Sequence, residues 1–302
     1  MTGAGAAGFV VLGAAFIAAP ALAQGRIGNA KIDTRSASQG LEREVRGAAA
    51  RGGVTWIGYR LPMVAGPRQM CCFDTISDTS FSGGLCRLES GGGVSMSTGD
   101  GRDRNGSRVT LEPATEFLVL ARLEHGRVNR VRTFTPDCDV DAAGMPLVWL
   151  NDVKPDESVA WLASLVAASP DTGDRHDRVG RTAMAAIALH NVPSALTRLI
   201  ASARDSRSTE VRGQALFWLA QRAGQAAISV ISGALDSDPD TEVKKKAVFA
   251  LSQLPKDEGV PKLMEVARNN RNAEVRKQAM FWLGQTHDPR AVKFFEEILL
   301  RK

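Results

Sequence analysis

The sequence predicts two folded parts in series, a small α+β domain built mostly of antiparallel sheet and then an all-α solenoid. Three observations carry this reading. One sentence is written three times near the carboxyl end: EVRGQALFWLAQ (210–221), EVKKKAVFALSQ (242–253) and EVRKQAMFWLGQ (274–285). Residues 24–150 instead show strand-like alternation interrupted by Gly-rich stretches, and they hold all four cysteines. At 302 residues the chain is long enough for two cores rather than one.

Residues 1–23 come first. They carry no charged side chain and run apolar to Ala-Leu-Ala at 21–23, the pattern of a secretory signal peptide cleaved after Ala23. No Lys or Arg opens the segment, so the α-amino group alone supplies the positive start; the alternative is an uncleaved anchor helix. No Cys follows the cleavage site, so lipid attachment there is not expected. Beyond Ala23 no apolar run approaches membrane-spanning length. The mature chain is therefore expected in the periplasm or medium, spanning no membrane.

Within 24–150, SQGLEREVRGAAARGG (38–53) predicts a short helix opened at Ser38 and ended at Gly52–Gly53. VTWIGYRLPMV (54–64) alternates like a strand, and TEFLVLARLEHGRVNRVRTFT (115–135) reads as a hairpin about EHGR. The Gly-rich stretch 82–107 reads as loop. An even set of cysteines confined to one exported domain, Cys71, Cys72, Cys86 and Cys138, predicts two disulfides. A bond between adjacent Cys71 and Cys72 would need a strained ring. Two pairings remain, Cys71–Cys86 with Cys72–Cys138, or Cys71–Cys138 with Cys72–Cys86. No Cys-x-x-Cys knuckle is present, so no metal site is expected.

Residues 151–178 form a linker carrying a capping helix, DESVAWLASLVAAS (156–169). From 179 to 302 about four units recur every 32 residues. Ala215, Ala247 and Ala279 share a column, as do Leu219, Leu251 and Leu283, and Val179, Ala183 and Ile187 mark an eroded earlier copy. A fixed period of this length marks a stacked array. Each unit holds two helical patterns, and one such hairpin buries its apolar face only against its neighbours. The D-x-x-x-E-V-[RK]-x-x-A-x-x-x-L pattern at 238–251, with partial matches at 210–219 and 274–283, resembles the HEAT-repeat family in the short form seen in phycobilin-lyase-like proteins. That resemblance implies an α-solenoid offering a surface to other proteins. It also implies that Arg212, Lys244 and Arg276 lie along the stack, contacting acidic side chains or backbone carbonyls.

On a helical wheel Phe217, Phe249 and Phe281 fall opposite the core columns, beside Gln221, Gln253 and Gln285. Either the rings fill seams between adjacent helices, or they form an exposed stripe that docks a partner or the amino-terminal domain. Trp218 and Trp282 fall on the buried side and are expected to pack there.

Chemistry is scarce. No His lies at ligand spacing from another His or Cys on a common helix, and His125, His176, His190 and His287 read as solvated or near helix ends. No nucleophile elbow, phosphate loop or calcium loop occurs. The di-iron hydroxylases built on HEAT-like repeats need His-Glu pairs, and none is present. Net charge is +5; residues 174–302 hold 21 Lys and Arg against 15 Asp and Glu, and the remainder 17 against 18. That basicity is too thin for nucleic acid. The expectation is an exported, non-enzymatic scaffold without cofactor or metal that binds an unknown protein partner. The alternatives are an enzyme in the first domain, its substrate recruited by the solenoid, or a structural part of a cell-envelope assembly.

Overall fold

A computed structural model describes residues 25–65, 71, 86–89, 114–169, 178–222 and 225–300. The leader-like segment, Cys72, His176 and most of the Gly-rich stretch lie outside them.

The amino-terminal part is layered. Strands β2 (Lys31–Ser36), β3 (Val54–Pro62), β5 (Glu116–Glu124), β6 (Arg127–Phe134) and β8 (Pro146–Asn151) form one sheet in the order β2-β8-β3-β5-β6. Strands β1 (Arg26–Gly28), β4 (Cys86–Arg87) and β7 (Asp139–Asp141) form a second, small sheet ordered β1-β7-β4. Helix α1 (Leu41–Ala50) connects β2 to β3. The β5–β6 hairpin turns at His125 and Gly126, both at positive φ, the conformation a tight hairpin turn demands.

The sheets are mixed, not mostly antiparallel. The β3–β5 and β5–β6 pairs are antiparallel as the hairpin pattern predicts, but β8 inserts parallel between β2 and β3, and the small sheet is parallel throughout. Strand β5 is buried on both faces, so its side chains do not alternate apolar with polar. Phe117, Val119 and Ala121 face the helices, while Leu118 and Leu120 face a second core with Trp56 and Trp149 beneath the small sheet. Gly58 permits this packing, because a Cβ there would stand 2.6 Å from Leu120 and 2.9 Å from the Trp149 ring.

Helix α2 (Pro155–Ala168) follows the sheet and is succeeded by four helical hairpins. These are α3 (Arg178–Leu189) with α4 (Pro193–Asp205), α5 (Thr209–Arg222) with α6 (Gln225–Ser237), α7 (Thr241–Ser252) with α8 (Lys256–Asn269), and α9 (Ala273–Gln285) with α10 (Pro289–Leu300). The columns seen in sequence are the core: Ala183, Ala215, Ala247 and Ala279 are fully buried, and Ile187, Leu219, Leu251 and Leu283 nearly so. Small residues at these positions let the first helices approach closely. The helix starts repeat as well: Asp240 accepts from the amides of Glu242 and Val243, and Asn272 from those of Glu274 and Val275. Helices α5, α7 and α9 lie closer along the stack than the second helices do, so the first helices form its concave side.

The two parts share one hydrophobic core. Leu61, Phe117, Val159, Leu162, Met184 and Ile187 belong to a single cluster that continues into the repeats. Backbone bonds stitch the junction: the Val64 amide donates to Leu189 and the Asn191 amide to Pro62. Helix α2 is thus packed into the junction, not strung between independent bodies.

Candidate functional site: the concave aromatic ladder

The Phe column becomes a continuous ladder of rings along α5, α7 and α9. Phe217 and Phe249 stack with centroids 5.8 Å apart and planes within 2°. Phe249 meets Trp282 at 4.8 Å, and Phe281 closes edge-on against Trp282 at 5.1 Å. Trp218 stands edge-on to Phe217 at 5.0 Å. The periodicity dictates this, since residues 32 positions apart occupy equivalent faces of adjacent helices. Exposure along the column is graded: Phe217 and Phe249 are half-buried in the seams, whereas Phe281 is 54% exposed. Trp218 and Trp282 are also half-buried. Both pack against the core as expected for them, and they join the ladder as well.

The Gln column lies one helical turn farther on. Gln221 donates to the Gln253 side chain at 3.4 Å, Gln253 donates to Ser252 at 3.1 Å, and Gln285 is exposed. An open groove of about 530 Å³ runs beside the first two, lined by Ala220, Gln221, Arg222, Gln253, Leu254, Pro255 and Lys256. The Arg222 guanidinium donates to the Ile187, Ala188 and Val192 carbonyls. Burial alone lowers its pKa.

Charged residues brace the row at its other edge. Glu210 binds Arg181 at 3.7 Å and is bridged by Lys246, linking α3, α5 and α7. Gly213 makes room for that bridge, since a Cβ there would collide with the Lys246 stem. Burial works to raise the Glu210 pKa, but its hydrogen bond from Lys246 and the nearby charges hold it below the ordinary value. The basic ladder contacts what the resemblance implies. Arg212 forks onto Asp238 at 2.7 and 3.0 Å, Lys244 donates to the Asp236 carbonyl, and Arg276 donates to those of Asn270 and Arg271.

Elsewhere, Cys71 is bonded to Cys138 and Cys86 is disulfide-bonded as well, while Cys72 lies outside the described residues. The Cys71–Cys138 bond belongs to the second of the two pairings left open. Among the described residues, one trio gathers potential metal ligands, Cys71, Asp137 and Cys138. Both sulfurs are joined to each other, so neither is a thiolate ligand.

Sequence reasoning missed a buried polar chain at the junction. Tyr59 lies 2.8 Å from Ser158, and His190 Nε2 lies 2.9 Å from the same hydroxyl. His190 Nδ1 sits 2.7 Å from the Ala186 carbonyl. The carbonyl can only accept, so Nδ1 carries the proton and Nε2 accepts from Ser158, which accepts from Tyr59. All three side chains have no exposed surface. Burial pushes the His190 pKa down to about 4 and the Tyr59 phenol above its ordinary range. His190 is therefore not a solvated histidine; His125 and His287 are exposed. The Ser-His pair has a nucleophile's geometry, but it is sealed from any substrate.

Comparison with known proteins agrees with the repeat geometry. A family model described as HEAT repeats matches residues 196–280 and, overlapping them, 228–302. Residues 196–302 are HEAT repeats. Among solved structures, the chain is similar to the complex of CpcE and CpcF of phycocyanin lyase from Nostoc sp. PCC7120. The identity is 15% and the TM-score 0.36, with 48% of this chain and 90% of that chain covered. No curated protein matches the sequence. Among the described residues no helix is long and apolar enough to cross a membrane.

Proposed function

We propose that the chain is an exported scaffold that binds another protein through the concave face of its HEAT repeats, without chemistry of its own. The observation that carries this is the ladder of rings ending at Phe281, which leaves more than half of a large aromatic side chain in water. Aromatic residues on an otherwise polar face are the anchors that protein interfaces use. The seam explains Phe217 and Phe249, whereas Phe281 keeps an edge contact with Trp282 and leaves the rest of its ring in water. Export rests on the leader-like residues 1–23 and on the disulfide, which an oxidising compartment sustains.

The test is affinity purification of the full chain from periplasm or medium, beside Phe281→Ser. A protein recovered in stoichiometric amount with the natural sequence, and lost from the variant at unchanged thermal stability, is the expected outcome. Equal recovery with both, or recovery with neither, refutes the proposal. Amino-terminal sequencing of the recovered chain tests export, which requires the chain to begin after Ala23.

A further inference from the structure

The last repeat breaks a rule that the rest of the stack keeps. In the interior each second helix packs against the first helix of the next repeat, α4 on α5, α6 on α7 and α8 on α9. The second-helix columns are buried there: Val260 and Ala267 on α8 are 1% and 4% exposed, and Leu235 on α6 is buried as well. Their column mates on α10, Val292 and Leu299, are 58% and 82% exposed, and Leu300 beside them is equally bare. On a helical wheel Val292, Glu296 and Leu299 form one stripe, left open among the described residues. The terminal unit of a stacked array needs a polar outer face. This one is apolar, so it continues the stacking interface instead of ending it.

The upstream end of the stack is different. There α2 packs on α3 and α4, burying Val159, Leu162 and Val166, and β6 lies against α3 as well. A second copy finds no open end on which to stack head to tail. Two copies can join their open faces only tail to tail, an isologous contact that closes at two. The charges suit this. Arg290 is held by Asp257 and Asp288, and Glu297 by Arg268. Lys293 and Glu296 are exposed and form no ion pair among the described residues; Glu274 and Lys277 on α9 are exposed too, one of each sign. Lys293 and Glu296 lie on the same flank of the stripe. Antiparallel pairing that sets Val292 against the second copy's Leu299 therefore brings each Lys293 to the other copy's Glu296. The two Glu296 carboxylates also draw near each other, but the four groups together carry no net charge.

Independently of the concave ladder, we infer that the α10 face is a self-docking surface. Two copies of the chain pair antiparallel through Val292, Leu299 and Leu300 into a closed two-fold dimer, which carries two concave ladders instead of one.

Sedimentation equilibrium of the full chain across the micromolar range tests this. The expected result is twice the mass of one chain. Leu299→Lys, at a position too exposed to disturb the fold, should weaken the dimer about tenfold or more by burying a charge in the contact, with an unchanged circular dichroism spectrum. Lys293→Glu and Glu296→Lys should each weaken it about tenfold, since symmetry sets like charges together twice, and the double reversal should restore it. A single-chain mass throughout, a series of ever larger masses, or a dimer indifferent to Leu299→Lys overturns the inference, as does a double reversal that stays weak. A monomer that recovers a different protein, lost with Leu299→Lys, gives the face to that protein and overturns it too. Phe281→Ser should leave the dimer intact; a dimer that it breaks would place the contact on the ladder and sink this reading while sparing the scaffold one.

Discussion

Truncating Phe249 separates a ring that holds the stack together from one that waits for a partner. Phe249 lies in the middle of the ladder, half-buried, with Phe217 stacked on one side at 5.8 Å and Trp282 tilted against the other at 4.8 Å. A fully buried Phe→Ala change costs about 3–5 kcal/mol, so half-burial leaves about 2 kcal/mol. Two ring pairs at roughly 0.5–1.5 kcal/mol each, partly counted in that burial, bring Phe249→Ala to about 3 kcal/mol. Among the described residues the ring contact of Phe281 is with Trp282, and the residue is 54% exposed, so Phe281→Ala should cost about 1 kcal/mol. Denaturant titrations followed by far-ultraviolet circular dichroism measure both. Thermal melts should show Phe249→Ala lowered by roughly 6–12 °C. Equal costs, or a Phe249 cost below about 1 kcal/mol, would refute the view that exposure along the ladder is graded and that only its far ring is free for binding.

Acid should loosen the junction through His190. Its folded pKa of about 4 lies below the ordinary 6.5, so between those values the unfolded chain binds more protons. Stability is full above pH 6.5 and falls by up to about 3 kcal/mol as the pH drops to 4; denaturation midpoints across that window read it, and His190→Gln should flatten the slope. Breaking the Arg212–Asp238 fork, whose side chains are 10% and 6% exposed, with Arg212→Ala strands a carboxylate and should cost about 3 kcal/mol or more. Asp238→Leu added to Arg212→Met should recover most of that in the same titration. The Cys71–Cys138 bond closes a loop of separation 67, so Cys71→Ser should lower stability by about 4 kcal/mol on chain-entropy grounds. An unfolding midpoint insensitive to reductant would contradict it.

What the sequence displays clearly is whatever repeats. Ala215, Ala247 and Ala279 announce a stack because a fixed period can be checked against itself, and the Phe column stands out because its place on the wheel has no core role. The parallel strand β8 is invisible for the opposite reason. Nothing local in PLVWLN says that it inserts between β2 and β3, since partner choice in a sheet is settled by distant segments. Burial on both faces also erased the alternation of β5, so its two cores read as one apolar run. The Trp residues pack against the core where the wheel puts them; one position from Phe217 or Phe281, a large indole also reaches the neighbouring ring. His190 was illegible because its chain joins Tyr59 to Ser158 over 99 positions and Ser158 to His190 over 32. That second separation equals the repeat period, yet Ser158 belongs to α2, before the first repeat. The buried chain therefore fastens the sheet to the start of the solenoid. The concave ladder begins two helices farther along the stack, so the junction can hold the array in place while the face proposed for binding stays free of it.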